Sequence, residues 1–280
     1  MKNTLFLSLG VLLSAGSLLT SCSNDDGAPD DSPVGSTWKL TVKATKGGNE
    51  ATTRALSLGG TGNKTLSATW ATEERVHVYA KDANENYLGG LHPDANAATA
   101  NLIGELNSEL ADSYYSTLTN CDLTLQFPQA GLIDYRYQIG TLENISSNYD
   151  WATTTVHIDK IDLLNRRIIP TNDVTVKFNN LQAIVKFTLK DGDGNSLNPS
   201  SLEISATGLV KYVDNIGDNT GDVTITPTGS TNVIWAALRG IDGTVTLTAK
   251  VGNDIYTYTK SNVAFENGKY YDITVKMTKK

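Results

Sequence analysis

The chain has 280 residues, which is enough for one large domain or two ordinary ones. Its formal net charge is −7 and its pI is about 5.0, so the sequence lacks the basic surface of a nucleic-acid-binding protein and we expect no nucleic acid partner. The sequence is rich in Thr, Asn, Gly and Val, a composition that favours an all-β protein over a helical one.

Residues 1–21 have the layout of a signal peptide, with a basic residue at Lys2 and an apolar segment over 5–19. That segment is shorter than the roughly 20 residues of a membrane-spanning helix. It ends in the sequence Leu-Thr-Ser-Cys at 19–22, which is similar to the lipobox of bacterial lipoproteins. The similarity implies that Cys22 is diacylated, becomes the mature N-terminus and anchors the protein in the outer membrane.

Residues 22–35 are predicted to form a lipidated, flexible tether, because they are small, polar and contain proline. Its start, Ser-Asn-Asp-Asp at 23–26, is similar to the acidic export tag of surface lipoproteins in Bacteroidota. The predicted location is therefore the cell surface. If Cys22 carries lipid, Cys121 has no partner for an intrachain disulfide, and we expect it to be a small buried apolar residue.

The first strand of the mature chain is predicted over residues 38–45, where polar and apolar residues alternate strictly. Its inward side chains would be Trp38, Leu40, Val42 and Ala44. A loop rich in Gly, Asn and Thr follows and contains an isolated Arg54–Ala55 step. That step is either a protease site or a solvated loop residue.

Short strands separated by turns rich in Gly, Asn and Asp continue to the end of the chain, a pattern typical of β-sandwiches. One short helix is predicted within residues 97–110. A polar segment with Pro170, over 166–173, is predicted to be a domain junction, giving domains at 36–170 and 171–280. Strands are predicted over 66–70, 76–79, 122–127, 135–139, 154–161, 174–178, 183–189, 202–204, 223–226, 233–238, 245–251, 255–259 and 271–277.

Several of these segments occur in the order that they have in the fimbrillins, the subunits of the type V pili of Bacteroidota, and most of the chain resembles that family. The segments are Thr-Arg-Ala-Leu at 53–56, Ala-Thr-Trp at 68–70 before Val-His-Val-Tyr at 76–79, the strand 178–187 and the strand 265–275. The resemblance implies two tandem transthyretin-like β-sandwich domains with Greek-key character.

The resemblance also implies how the protein assembles into a fimbrium. A trypsin-like protease would cut between Arg54 and Ala55, and the strand at 38–45 would leave. A strand from another pilin subunit would then fill the empty groove by strand complementation. A host receptor or a glycan would be the further ligand of such a fimbria in cell adhesion.

The last strand is the candidate donor, because Tyr271, Ile273, Val275 and Met277 alternate with polar residues as the first strand does. The sequence stops at Lys280, directly after this strand. If the strand is needed in its own domain, we expect a tip subunit or an unassembled surface protein rather than a repeating stalk subunit.

No catalytic site is predicted, and we expect neither enzymatic activity nor a cofactor. The histidines His77, His92 and His157 are not spaced with cysteines or carboxylates as metal ligands are. Residues 191–195 have the alternating oxygens of a calcium loop but lack its later Gly and Glu, so a hairpin turn is predicted.

An alternative function is that of a glycan-binding outer-membrane lipoprotein that does not polymerise. Exposed aromatic side chains would bind the sugar. The sequence offers two pairs for this, Tyr149 with Trp151 and Tyr256 with Tyr258.

Overall fold

A computed structural model describes residues 37–47, 57–58, 66–81, 86–107, 109–110, 112–128, 133–171, 174–214 and 217–280. The signal peptide, the tether with Cys22 and the Arg54–Ala55 step lie outside the described residues. The described residues all belong to one compact unit. Neither of the two described helices has the length or the apolar character needed to cross a bilayer.

The described chain is all-β, with two short helices. In the first part of the chain the strands are β1 (Trp38–Thr45), β2 (Ser57–Leu58), β3 (Leu66–Ser67), β4 (Val76–Ala80), β5 (Tyr87–Pro93), β6 (Thr99–Leu106), β7 (Cys121–Phe127), β8 (Ile133–Asp134), β9 (Ala152–Asp162), β10 (Arg167–Pro170), β11 (Val176–Lys177) and β12 (Asn179–Asn180). The helices are α1 (Asp112–Ser116) and α2 (Leu142–Asn148). In the second part the strands are β13 (Ala183–Lys190), β14 (Ser201–Ala206), β15 (Val210–Asp214), β16 (Gly217–Thr220), β17 (Val223–Ile225), β18 (Val233–Leu238), β19 (Ile241–Val251), β20 (Asp254–Phe265), β21 (Tyr270–Lys276) and β22 (Thr278–Lys279).

The first part of the chain is organised around a nine-stranded sheet with the order β10-β1-β6-β5-β4-β7-β9-β12, in which β11 also pairs with β1. Because β10 pairs with β9 as well as with β1, the path of hydrogen-bonded strands closes on itself. Inward side chains of these strands, such as Trp38 and Phe127, form one apolar core together with Trp70 and Phe178 from the connecting segments.

The second part of the chain has two sheets, with the orders β18-β13-β21 and β17-β14-β19-β20-β22. Alternate residues of both sheets pack into a second apolar core, as in a sandwich. A third cluster joins Tyr135 and Trp151 to Ile184, Trp235 and Ala237, so the two parts of the chain share buried surface. The strands β11 and β12 pair within the large sheet, and the domain boundary at 170/171 stays a prediction.

The helix predicted within 97–110 is wrong, because most of that segment is strand β6. Its buried residues Ala100, Leu102 and Leu106 have even spacing, which is the period of a strand. Gly104 allows the close approach of β5, since a Cβ atom there would collide with the carbonyl oxygen of Gly90. The spacing was therefore strand-like although the composition favoured a helix.

The strand predicted over 135–139 is also wrong. This segment is irregular, and Tyr137 has a φ of 61°, in the left-handed region. Helix α2 follows it and was not predicted. It begins after Thr141, whose hydroxyl oxygen accepts a hydrogen bond of 3.1 Å from the backbone N–H of Asn144.

Candidate functional site

Strand β1 lies inside the large sheet and has hydrogen-bonded neighbours on both sides. Along one side it pairs antiparallel with β6 over all eight residues, from Trp38 opposite Leu106 to Thr45 opposite Thr99. Along the other side its start pairs parallel with β10 and its end pairs parallel with β11. Removal of β1 would therefore leave unpaired backbone groups on both flanks of an empty groove.

The inward face of β1 is fully buried, as the alternation in the sequence predicts. Trp38, Leu40, Val42 and Ala44 are each at most 2% exposed, and the residues between them face solvent. At about 1.5–3 kcal/mol for each large side chain, their burial contributes roughly 6–10 kcal/mol before entropy is counted. The groove is thus a strongly apolar slot that is shaped for an alternating strand.

The start of β1 is held by contacts of Trp38 with helix α1. The indole ring stacks on Tyr115, with 4.7 Å between ring centroids, and its Nε1–H donates to Oδ1 of Asp112 at 3.0 Å. The other oxygen of Asp112 accepts from Arg166 at 3.0 Å. Burial, with smaller contributions from Tyr114 and Asp112, raises the pKa of the Tyr115 hydroxyl to about 12.

The end of β1 is held by a buried ion pair. Lys46 is 4% exposed, and its Nζ lies 2.5 Å from Oε1 and 2.6 Å from Oε2 of Glu74. The same ammonium group donates to the carbonyl oxygen of Thr69 at 3.2 Å. It also lies over the rings of Trp70 and Phe127, at 4.9 and 4.5 Å from their centroids. The charge is therefore surrounded by a carboxylate, a carbonyl and two aromatic faces.

Glu74 is presented to Lys46 by a tight turn before β4. Its backbone N–H donates to the carbonyl oxygen of Ala71 at 2.9 Å, and its Oε2 accepts from the N–H of Ala71 at 3.2 Å. The neighbouring Trp70 donates its Nε1–H to the carbonyl oxygen of Ala44 at 3.1 Å. The sequence interpretation missed both members of the ion pair. Lys46 could have been found, because it continues the inward series of alternate positions from Trp38.

The middle of β1 borders a gap between β10 and β11. There a cavity of about 230 Å³ separates Val42 and its neighbours from Pro170 and Val174. Among the described residues, this flank of β1 is paired near its two ends, with β10 at Lys39 and Leu40 and with β11 at Ala44 and Thr45.

The candidate donor strand is part of its own sandwich. β21 lies at the margin of its sheet and pairs parallel with β13. Val275 and Met277 are at most 2% exposed, whereas Tyr271 and Ile273 are half-buried. A groove of about 420 Å³, also lined by residues of β20, lies beside Ile273 and Val275. These residues could reach another subunit only by leaving their present sheet.

The other residues singled out in the sequence form no site for chemistry in the described part of the chain. The thiol of Cys121 is half-buried and donates to the carbonyl oxygen of Leu118 at 2.9 Å. One carboxylate oxygen of Asp191 accepts from the backbone N–H groups of Asp193 and Asn195, which closes a turn. No three His, Cys, Asp or Glu side chains among the described residues converge as metal ligands would.

The aromatic pairs proposed for glycan binding are not exposed platforms. Tyr149 and Trp151 are 6% and 4% exposed and lie in the third apolar cluster, so this part of the prediction is wrong. Tyr256 and Tyr258 are half-buried against the second core. Their sequence spacing is typical of a strand, where aromatic side chains pack on neighbours.

No protein-family model and no curated protein matches the chain. Solved structures with a similar chain course include a protein from Bacteroides ovatus that is provisionally described as a cell adhesion protein. The two sequences are 13% identical, and the TM-score is 0.47. The match covers 88% of this chain and 96% of that chain. A second such protein, from Bacteroides eggerthii, has 13% identity, covers 87% of each chain and has a TM-score of 0.43. A fimbrial protein from Bacteroides ovatus has 11% identity, covers 85% of this chain and 48% of its own, and has a TM-score of 0.39. These three structural neighbours are thus described as adhesion and fimbrial proteins of Bacteroides.

Proposed function

We propose that the chain is a fimbrillin-like surface lipoprotein whose first strand is removed by proteolysis and replaced by a strand of another subunit. The observation that carries this proposal is the position of β1. It is the first described element of the chain, yet it lies between bonded neighbours and presents only buried apolar side chains to the core. When a strand in that position departs, it leaves an apolar slot between two strands with unpaired backbone groups. Another strand with alternating apolar residues binds to such a slot by β-augmentation.

In this proposal Cys22 carries the lipid that brings the precursor to the outer membrane, and the bond after Arg54 is the cleavage site. A trypsin-like protease and other pilin subunits are the partners. The proposal also takes the chain to be built as two tandem transthyretin-like sandwich domains. The role is structural and adhesive, and it needs no catalytic group and no cofactor.

Limited trypsin digestion of the full chain tests the proposal. We expect cleavage after Arg54, dissociation of the strand at 38–45, and conversion of the monomer into higher oligomers. Mass spectrometry identifies the released segment, and size-exclusion chromatography with light scattering follows the oligomers. The matched control is Arg54→Gln, which should stay monomeric under the same digestion.

Two outcomes would contradict the proposal. In the first, the bond after Arg54 is cut cleanly but β1 stays bound and the protein stays monomeric. In the second, Arg54→Gln forms the same oligomers as the native chain, so that assembly does not depend on this cleavage.

A further inference from the structure

The first and last strands share more than an apolar alternation. When residues 38–46 are aligned with residues 271–279, five of the nine positions are identical. They are Thr41 and Thr274, Val42 and Val275, Lys43 and Lys276, Thr45 and Thr278, and Lys46 and Lys279. The first inward residue of each strand is aromatic, Trp38 or Tyr271, and the second is a branched aliphatic residue, Leu40 or Ile273. The last strand therefore repeats the first strand up to and including its terminal lysine.

The two terminal lysines have opposite surroundings. Lys46 is buried against Glu74. The side chain of Lys279 is 55% exposed, and its Nζ lies 2.6 Å from Oδ2 of Asp254 at the surface. A surface pair of this kind contributes little to stability, so Lys279 can leave its place with a small loss.

When β1 leaves, the carboxylate of Glu74 loses Lys46, the cation with which it is paired. The side chain of Glu74 is 0% exposed, and its other described contact is the backbone N–H of Ala71. A buried carboxylate without a cation is strongly unfavourable, whereas an apolar slot accepts any apolar side chain of suitable size. Glu74 therefore favours an incoming strand that carries a cation at this position over one that carries only apolar side chains.

We infer that Glu74 selects the incoming strand, and that residues 271–279 of a second copy of this chain satisfy it, with Lys279 in the place of Lys46. This inference rests on the proposed function. In the aligned register, Tyr271, Ile273 and Val275 take the positions of Trp38, Leu40 and Val42. The one larger inward residue is Met277 in the place of Ala44, and its unbranched side chain adapts to irregular space.

The position of β21 at the margin of its sheet makes the transfer feasible. Among the described strands β21 has one ladder neighbour, β13, and the short strand β22 pairs with β20 at Thr278 and Lys279. The losses are the ladder with β13, the ion pair of Asp272 with Lys186 and the burial of Val275 and Met277. The new groove offers a ladder and apolar burial in return. The exchange is thus a strand transfer between copies, which fills the groove of β1 in one copy and vacates the position of β21 beside β13 in the other.

Strand exchange with synthetic peptides tests the inference on the full chain. A specific protease site replaces residues 50–55, the chain is cut there, and fluorescent peptides are added in excess. The peptides are 271–279, its Lys279→Met and Lys276→Met variants, and 38–46 as the reference. The Lys276→Met peptide is the matched control, because its lysine corresponds to the outward Lys43. Fluorescence anisotropy gives the affinities.

We expect the native 271–279 peptide to bind, the Lys276→Met peptide to bind within about threefold of it, and the Lys279→Met peptide to bind roughly 100-fold more weakly. In the chain with Glu74→Gln, the difference between the two variants should largely disappear. Equal binding of the two variants to the native chain would overturn the inference.

The peptides also separate this inference from the proposed function. If the 38–46 peptide exchanges into the groove and the 271–279 peptide does not, the inference is overturned and strand replacement stands. If neither peptide exchanges and β1 remains bound after cleavage, strand replacement fails and the inference fails with it.

Discussion

Strand β1 and the last strand, β21 with β22, have the same alternation but very different surroundings. β1 has neighbours on both sides and four inward side chains that are at most 2% exposed. β21 has one neighbour among the described strands, and the first two of its inward side chains are only half-buried. The final lysine is buried in the first case and exposed in the second. An alternating pattern thus specifies which face is inward, and the neighbouring strands decide how deeply that face is buried.

The largest difference in unfolding free energy between variants of the two strands should come from their aromatic residues, Trp38 and Tyr271. Trp38→Ala should lower the free energy of unfolding by about 4–5 kcal/mol, because it removes a fully buried ring that stacks on Tyr115 and bonds Asp112. Tyr271→Ala should lower it by less than about half as much, since Tyr271 is half-buried. Urea denaturation of the uncut chain measures both. Equal losses would show that the two strands are equally important for the core.

The next effect concerns the ion pairs at the strand ends. Glu74→Ala should destabilise the protein by about 3–4 kcal/mol, because it leaves the ammonium group of Lys46 buried without its carboxylate. The matched variant Asp254→Ala, which removes the surface partner of Lys279, should change stability by less than about 1 kcal/mol. Thermal and urea unfolding give the two values. A small effect of Glu74→Ala would contradict the role assigned to the buried pair.

A moderate effect should come from the buried end of the last strand. Met277 is fully buried, so Met277→Ala should cost about 2–3 kcal/mol. Ile273→Ala should cost less, because Ile273 is already half-exposed. If both variants were as stable as the native chain, the last strand would not be part of its own sandwich in solution.

The smallest effect is expected at Lys279. Replacement of this residue by Met should leave the free energy of unfolding almost unchanged, since an exposed ion pair is weak. Lys43→Met, at an outward position of β1, is the control with similar exposure. A larger loss of unfolding free energy for Lys279→Met than for Lys43→Met would mean that Lys279 holds the last strand in its own sheet more firmly than its exposure indicates.

The sequence predicted the all-β class and the inward face of β1, because alternation is a local property that the chain itself carries. Strands β4, β7, β13 and β18 are confirmed close to their predicted limits for the same reason. The helix predicted within 97–110 failed because alanine and leucine suggested a helix while their spacing fitted a strand. Local propensity was overruled by pairing with β1 and β5.

The neighbours of β1 could not be predicted, because pairing between distant segments leaves no local pattern. Thr45 and Thr99 face each other across 54 residues of chain. The partner of Lys46 was missed for the same reason, since Glu74 reaches it through the fold of a turn before β4. A single inward lysine in an apolar series was the one local sign that a buried acid had to exist nearby.

The double pairing of β1 has a mechanical consequence. A pull along the axis of a strand that is bonded on both flanks strains all of its bonds together in shear. A strand at the margin of a sheet can instead peel away pair by pair. If the lipid on Cys22 ties the protein to the cell, tension from the membrane enters at the start of β1 and meets the stronger arrangement. The uncut protein should therefore unfold under tension at a higher force than it would if its first strand lay at the margin of a sheet.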